Sequence, residues 1–493
     1  MKINAVQNIA LAQKQNNSSI VNAKNSFNRI DVAFMGSLRT NEIAGKLSKD
    51  SPNLIFTPGA KAREISFCGQ ENADRKSVLV TGGAGYIGSH CAAYLLEHGY
   101  NVVVVDNLSM GNRGAIEELN KIAEENGAEF DFYRVDVADK EEIPKILQKH
   151  GIEAALHFAA FIEVGESVQN PAKYYDNNTR KTRDFIDMLK ANNVDKFVFS
   201  STAATYGDLK DVTEENPITE KTPQNPINAY GESKLGSEKV ALNAEKDGLR
   251  SVIFRYFNVA GAHPDGRLGE SHYPESHLIP KVLEPAIAKK KGADGEVPPF
   301  KLFGTDYPTK DHTNVRDYIN VNDLARAHFL ALQYLEKGGK TDTFNLGTGG
   351  GSSNLEVYDA ACKATGEKIK LVKEGRRAGD SPTLITSGEK AKRILGFVPE
   401  YTLNQSVEQA YRWQLNPKFE NERRAKVEAA MRQAYSEEAI KNMSGGELVK
   451  NQRAVLDVLV EDGLLDGVAD DFFTLEDTAY LKGFVESLIN PDA

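Results

Sequence analysis

The chain has 493 residues, 40% of them hydrophobic and 26% charged, with a net charge of −10. That length can bury the cores of two to four domains, and the acidic balance argues against nucleic acid or an anionic membrane surface as the main partner. No apolar run is long enough for a membrane span, and polar residues interrupt the stretch near Ile9–Leu11 that a secretory signal would need, so the cytoplasm is the expected location.

Residues 1–75 are rich in Asn, Ser, Lys and Ala and hold no sustained period, which predicts a mostly disordered, mildly basic extension. The scarcity of acidic residues before Lys61 leaves a transit peptide as the alternative. From Lys76 the pattern changes abruptly. Strands are expected at Ser77–Thr81, Asn101–Asp106 and Glu129–Asp136, alternating with helices at Tyr86–His98, Gly114–Asn126 and Lys140–Lys149. Ala154–Ala159 and Lys196–Ser200 read as further buried strands, on either side of a long helical stretch from Pro171 to Asn192. The alternation predicts an α/β fold: a Rossmann-type, doubly wound parallel sheet over 76–258, whose inner strands can be apolar throughout, as in Val102-Val103-Val104-Val105.

After Asn258, Gly and Pro become frequent and the elements shorten, which suggests a smaller α/β substrate domain over 259–417. Residues 418–493 show helical spacing again, at Glu420–Ile440, Glu447–Glu461 and Thr474–Ile489. The apolar positions Val455, Leu456, Leu459 and Val460 suit packing on the rest of the chain or docking of a protein partner. Cys68, Cys91 and Cys362 have neither C-x-x-C nor metal-ligand spacing, so thiols in a reducing compartment are expected and no metal site is.

Chemistry concentrates at two places. Thr81-Gly82-Gly83-Ala84-Gly85-Tyr86-Ile87-Gly88 closes a strand and opens a helix. Glycines there let backbone approach a pyrophosphate, and the helix start offers free N–H groups to the anion, although a plain tight turn has the same letters. Asp106 follows at the end of the second strand, where a carboxylate accepts from both ribose hydroxyls and repels a 2′-phosphate. That favours NAD over NADP. Farther on, Tyr230 and Lys234 stand one helical turn apart, and a lysine beside a phenol is expected to lower its pKa towards that of a usable base. The strand-end run Ser200-Ser201-Thr202 lies about thirty residues earlier and offers a hydroxyl at the carboxyl edge of the sheet.

Together these motifs resemble the extended short-chain dehydrogenase/reductase superfamily. Further stretches resemble the UDP-galactose 4-epimerase family within it, among them His157-Phe158-Ala159-Ala160, Val164-Gly165-Glu166-Ser167, Tyr174-Tyr175-Asp176-Asn177-Asn178 and Arg255-Tyr256-Phe257-Asn258. Val315-Arg316-Asp317-Tyr318-Ile319 and Arg376-Arg377-Ala378-Gly379-Asp380 continue the series, in family order, over 76–416. The resemblance implies tightly bound NAD, a UDP-hexose partner, a homodimer, and interconversion of UDP-glucose and UDP-galactose through a 4-keto sugar. It implies Tyr230 as base, Lys234 as its electrostatic partner and ribose ligand, and Thr202 as the bridge to the sugar O4. For the cofactor it implies Gly82, Gly85, Tyr86, Ile87, Gly88, Asp106, Asn107, Asp136, Val137, Phe158, Ala159, Asn177 and Phe257. For the substrate it implies Asn258, Arg316 and Arg377 on the diphosphate, Phe303 on uracil, Asp380 on the ribose and Leu278 as a further contact.

Thr202 stands where serine is more usual, Ile162 where some members carry a basic residue, and Leu384 where side-chain size bears on N-acetyl groups. A dehydratase on the same fold needs a carboxylate beside the strand-end hydroxyl, and Ala203 and Ala204 argue against it. Epimerases of other UDP-sugars, and an NAD-binding regulator without catalysis, are the remaining alternatives.

Overall fold

A computed structural model describes residues 75–209, 211–272, 275–292, 297–377 and 380–415. The expected N-terminal extension to residue 74 and the three helices expected beyond residue 418 lie outside the described residues.

Side chains alternate across each strand, and here both faces of the strands are apolar. Val78 and Val80 of β1 (Ser77–Thr81) enter one core with Val102 and Val104 of β2 (Asn101–Val105), while Leu79, Val103 and Val105 enter a second. Helices must therefore cover the sheet on both sides, and they do. With β3 (Phe130–Tyr133), β4 (Ala154–His157), β5 (Lys196–Thr202), β6 (Arg250–Tyr256) and β7 (Asp342–Leu346), the sheet has seven parallel strands in the order β7-β6-β5-β4-β1-β2-β3.

The helices that matter for the site are α1 (Tyr86–Glu97), α2 (Ala229–Ala244), α3 (Leu278–Lys290), α4 (Val321–Glu336) and α5 (Leu403–Leu415). Residues of α1 and α4 share the first core, and residues of α2 join the second. A third core gathers α3, α5 and the helix Asn354–Thr365 around Phe300 and Leu302.

Three expectations change. The helix expected from Gly114 begins at Arg113, because the Asn112 side chain caps it by accepting from the Gly114 N–H at 3.0 Å. The single helix expected over Pro171–Asn192 is broken by a π-helical segment at Tyr175–Arg180. There the Asn178 carbonyl accepts from the hydroxyls of Thr182 and Ser237, both at 2.6 Å, so side chains replace part of the helical ladder. Third, a cut at residue 258 does not separate sheet from substrate region. The chain returns at β7, which pairs with β6, because Phe344 and Leu346 are fully buried beside Phe254.

The buried Asp317 carboxylate ties these passages together. It accepts from the N–H and hydroxyl of Thr348 at 2.7 Å each, from Gly349 N–H at 3.2 Å and from Thr386 N–H at 3.4 Å. At the far side Trp413 of α5 is 2% exposed, packs over Gly269 and donates from Nε1 to the Glu270 carbonyl at 2.8 Å. Trp413→Ala should therefore destabilise the chain by about 3–5 kcal/mol, the range for a buried tryptophan. The check is the urea midpoint at unchanged slope; a loss below about 1 kcal/mol would show that α5 does not hold this edge.

Candidate functional site

Strand order reverses between β1 and β4, so the loops leaving their carboxyl ends diverge and open a crevice. A cleft of about 1500 Å³ fills it. All the residues singled out from the sequence for cofactor or substrate line this one cleft, from Gly82 and Asp106 through Phe158 and Tyr230 to Arg316 and Asp380. Ile162 lines it as well. Leu384 does not: it packs one layer behind, in the small apolar cluster that also takes the cleft residue Phe257.

The dinucleotide side is built from absent side chains. Gly82 has φ +69°, and a Cβ there would meet the Ala159 nitrogen at 2.6 Å. A Cβ on Gly88 would come within 2.1 Å of the Gly82 carbonyl oxygen. These contacts seat the start of α1 directly on the strand end. No side chain caps α1 and no acidic residue stands in its first turn, so its first N–H groups face the cleft free for an anion. The Tyr86 hydroxyl donates to the Gly261 carbonyl at 2.7 Å and joins this helix start to the opposite wall.

Asp106 is buried and accepts from Ala84 N–H at 3.0 Å through one oxygen and from Leu108 N–H at 2.8 Å through the other. Burial raises its pKa, and the two N–H bonds oppose the rise. Each oxygen keeps a lone pair for a ribose hydroxyl. Asp136 accepts from Ala138 N–H at 3.0 Å, pairs with Lys181, and takes the Asn107 amide at 3.4 Å. Glycine cradle, open helix start and strand-end carboxylate fit a dinucleotide such as NAD.

The expected electrostatics of the pair on α2 are different in the structure. Burial raises the Tyr230 pKa, and the hydroxyl of Thr202, at the end of β5, hydrogen-bonds the phenol and lowers it, while Glu163 raises it. Lys234, also on α2, is fastened to the strand end. Its Nζ donates to the Ser200 carbonyl at 2.8 Å and lies 5.1 Å from the centre of the Phe199 ring. Burial lowers the Lys234 pKa to about 7, against the pull of Glu238.

Beneath them runs a network that the motifs did not reveal. Arg255 pairs with Glu238 through Nη2 at 2.6 Å and Nε at 2.9 Å, and both side chains are buried. Ser201, next to Thr202, donates to the same carboxylate, and Arg255 also donates to the Tyr206 hydroxyl at 2.9 Å. The available signal was Glu238, one turn beyond Lys234 on the same helix face. His157 is a second omission: it sits between the hydroxyls of Thr81 at 2.7 Å and Thr182 at 2.9 Å, and burial lowers its pKa to about 3, so it is a neutral strut.

On the far wall Arg316 donates through Nη1 to the carbonyls of Ser381 at 2.8 Å and Val315 at 3.0 Å, with Asp380 3.7 Å from Nη2. The Arg377 guanidinium lies 4.0 Å above the Phe303 ring, so one face of that ring is covered by an arginine.

The model of the NAD dependent epimerase/dehydratase family matches residues 78–347. A UDP-glucose 4-epimerase of Lacticaseibacillus casei is 46% identical over 342 residues, which are 69% of this chain and 97% of that protein. The crystal structure of UDP-glucose 4-epimerase from Brucella ovis in complex with NAD is 40% identical, with a TM-score of 0.62, covering 68% of this chain and 98% of that one. The UDP-Glc/GlcNAc 4-epimerase from Campylobacter jejuni is 40% identical with a TM-score of 0.58, over 69% of this chain and 99% of its own.

The lysine gives a pH test. Between about 7 and the unperturbed 10.5, the unfolded chain holds a proton on Lys234 that the folded chain lacks. The cost of burying that group is thus complete below pH 7 and is relieved as pH rises through this window. Lys234→Met should be more stable than the parent below pH 7, with the advantage shrinking towards pH 9.5. Denaturation curves of the two proteins at several pH values read this directly, and a pH-independent difference would refute a neutral Lys234.

Proposed function

The chain belongs to the NAD-dependent epimerase/dehydratase family and is a UDP-sugar 4-epimerase, and we propose that the pair it interconverts is UDP-glucose and UDP-galactose. One observation carries the reading: Thr202, Tyr230 and Lys234 converge on the floor of a cleft whose dinucleotide side has the glycine cradle and whose far wall has Arg316 and Arg377.

NAD supplies a reversible hydride acceptor, so that C4 of the sugar can be oxidised and reduced again without net consumption. The chain's own residues do the rest. Gly82, Gly85, Gly88 and the start of α1 hold the pyrophosphate, and Asp106 holds the adenosine ribose. Tyr230 takes the proton of the 4-hydroxyl through the hydrogen bond shared with Thr202, and later returns it. Burial disfavours the phenolate, so the positive charge that bound NAD would bring, together with any proton held on Lys234, would favour the working base. Asn258, Arg316 and Arg377 hold the UDP diphosphate, and this remote binding retains the 4-keto sugar while the hexose turns over in the cleft. The reading takes the chain to be a cytoplasmic homodimer of galactose metabolism.

Incubation of the purified protein with UDP-galactose, without added NAD, should yield UDP-glucose until the two reach equilibrium, followed by chromatography of the nucleotide sugars. UDP-N-acetylglucosamine and UDP-arabinose as parallel substrates test the sugar assignment; conversion of either in place of UDP-galactose would replace it. A 4-keto-6-deoxy product would make the chain a dehydratase and point to Glu163 as its carboxylate. Tyr230→Phe should lower turnover by at least ~10²-fold with the fold intact by circular dichroism, and near-parental turnover would remove Tyr230 from its role.

A further inference from the structure

Four side chains near the rim have no part in the reading above: Glu270, His272, Glu275 and His277. They fall within eight residues of sequence, just before and at the start of α3, and one donor atom from each lies within 4.8 Å of the other three. Nδ1 of His277 is 3.0 Å from Oε1 of Glu270 and 2.9 Å from Oε1 of Glu275, and Nδ1 of His272 is 3.3 Å from the same Glu270 oxygen. A tetrahedral zinc ion with nitrogen and oxygen ligands at about 2.0–2.1 Å requires ligand-to-ligand edges of about 3.3 Å. Three of the six edges are thus already close to that length.

Two further observations point to an ion. Nδ1 of His272 is buried and lacks a hydrogen bond, although it faces the Glu270 carboxylate. The donors are also fixed from behind. Glu275 Oε1 accepts from the backbone N–H groups of Ser276 and His277, both at 2.7 Å, and the main chain of Glu270 is held by Trp413 Nε1 at 2.8 Å. Such outer contacts orient metal ligands. The charge balance agrees: two carboxylates and two neutral imidazoles sum to −2, which a divalent cation cancels. Glu270, His272 and His277 line the same cleft as the phosphate-binding groups, where a bound divalent ion would leave no net negative charge facing a diphosphate.

We propose that Glu270, His272, Glu275 and His277 bind one divalent transition-metal ion, with zinc best suited to the donor set. The ion neutralises this wall and fastens the segment before α3; no proton or hydride step requires it. The expectation of no metal site came from cysteine spacing, which does not register a Glu/His set. The proposal stands whichever UDP-sugar is the substrate.

The test uses the full chain with any affinity tag removed. Protein purified without chelator should hold one zinc per chain by mass spectrometry of the metal. After dialysis against EDTA it should take up one equivalent of cobalt(II), with the visible absorption of a tetrahedral site, and zinc should displace it. His272→Ala and His277→Ala should each weaken zinc binding by at least ~10²-fold, beyond the loss expected for an outer contact, while His98→Ala should bind as the parent does. His272→Cys, which replaces one zinc ligand by another, should restore binding and guards against variants that merely misfold. Absence of stoichiometric zinc and cobalt uptake, or unchanged affinity in the two alanine variants, overturns the site. Either result would leave a proton shared between His277 and its carboxylates as the occupant.

Discussion

Between Gly88 and the carbonyl of Gly82 there is no room for one methyl group, and much of the molecule is arranged around that contact. Because α1 can rest directly on the end of β1, its uncapped N–H groups reach the crevice where the strand order reverses. Asp106, at the end of the neighbouring strand, then comes within 3.0 Å of Ala84 in the same turn. The cofactor side of the cleft thus follows from backbone proximity, which few substitutions could preserve.

The opposite side obeys another constraint, the burial of charge. Lys234, Glu238 and Arg255 all lie within the sheet–helix interface below the reacting groups. An isolated buried ion is costly, but each of these has a partner: Lys234 a carbonyl, and Glu238 and Arg255 one another. Their common effect is to fix Ser200, Ser201 and Thr202, so that the strand end offering the hydroxyl has little freedom. Removing one partner would leave the other uncompensated, and a loss in catalysis would be hard to separate from a loss in folding.

The sheet was legible in the sequence because doubly covered strands are apolar without alternation, as Val102–Val105 shows, and because the glycine turn and Asp106 hold fixed offsets along the chain. The π-helical segment was not legible: Asp176, Asn177, Asn178 and Thr179 are poor helix formers but do not say that a turn widens, and the Asn178 carbonyl there is met by Ser237, far away in sequence. β7 was missed as a member of the main sheet for a related reason, since five residues after a helix do not say which edge they join. Site residues were found where a motif repeats family order. The Phe303–Arg377 stacking and the retreat of Leu384 behind Phe257 are packing outcomes that no spacing encodes.

Asp317 has a consequence for how such an enzyme can change. Its carboxylate holds Thr348, Gly349 and Thr386, while its own carbonyl accepts from Asn258 N–H at 3.1 Å, so passages far apart in sequence meet at one residue. Any movement that parted these segments would have to break those bonds. A new sugar preference reached by exchanging residues at the rim would leave this knot intact, whereas one that displaced the Asp317 segment would undo all of these contacts at once.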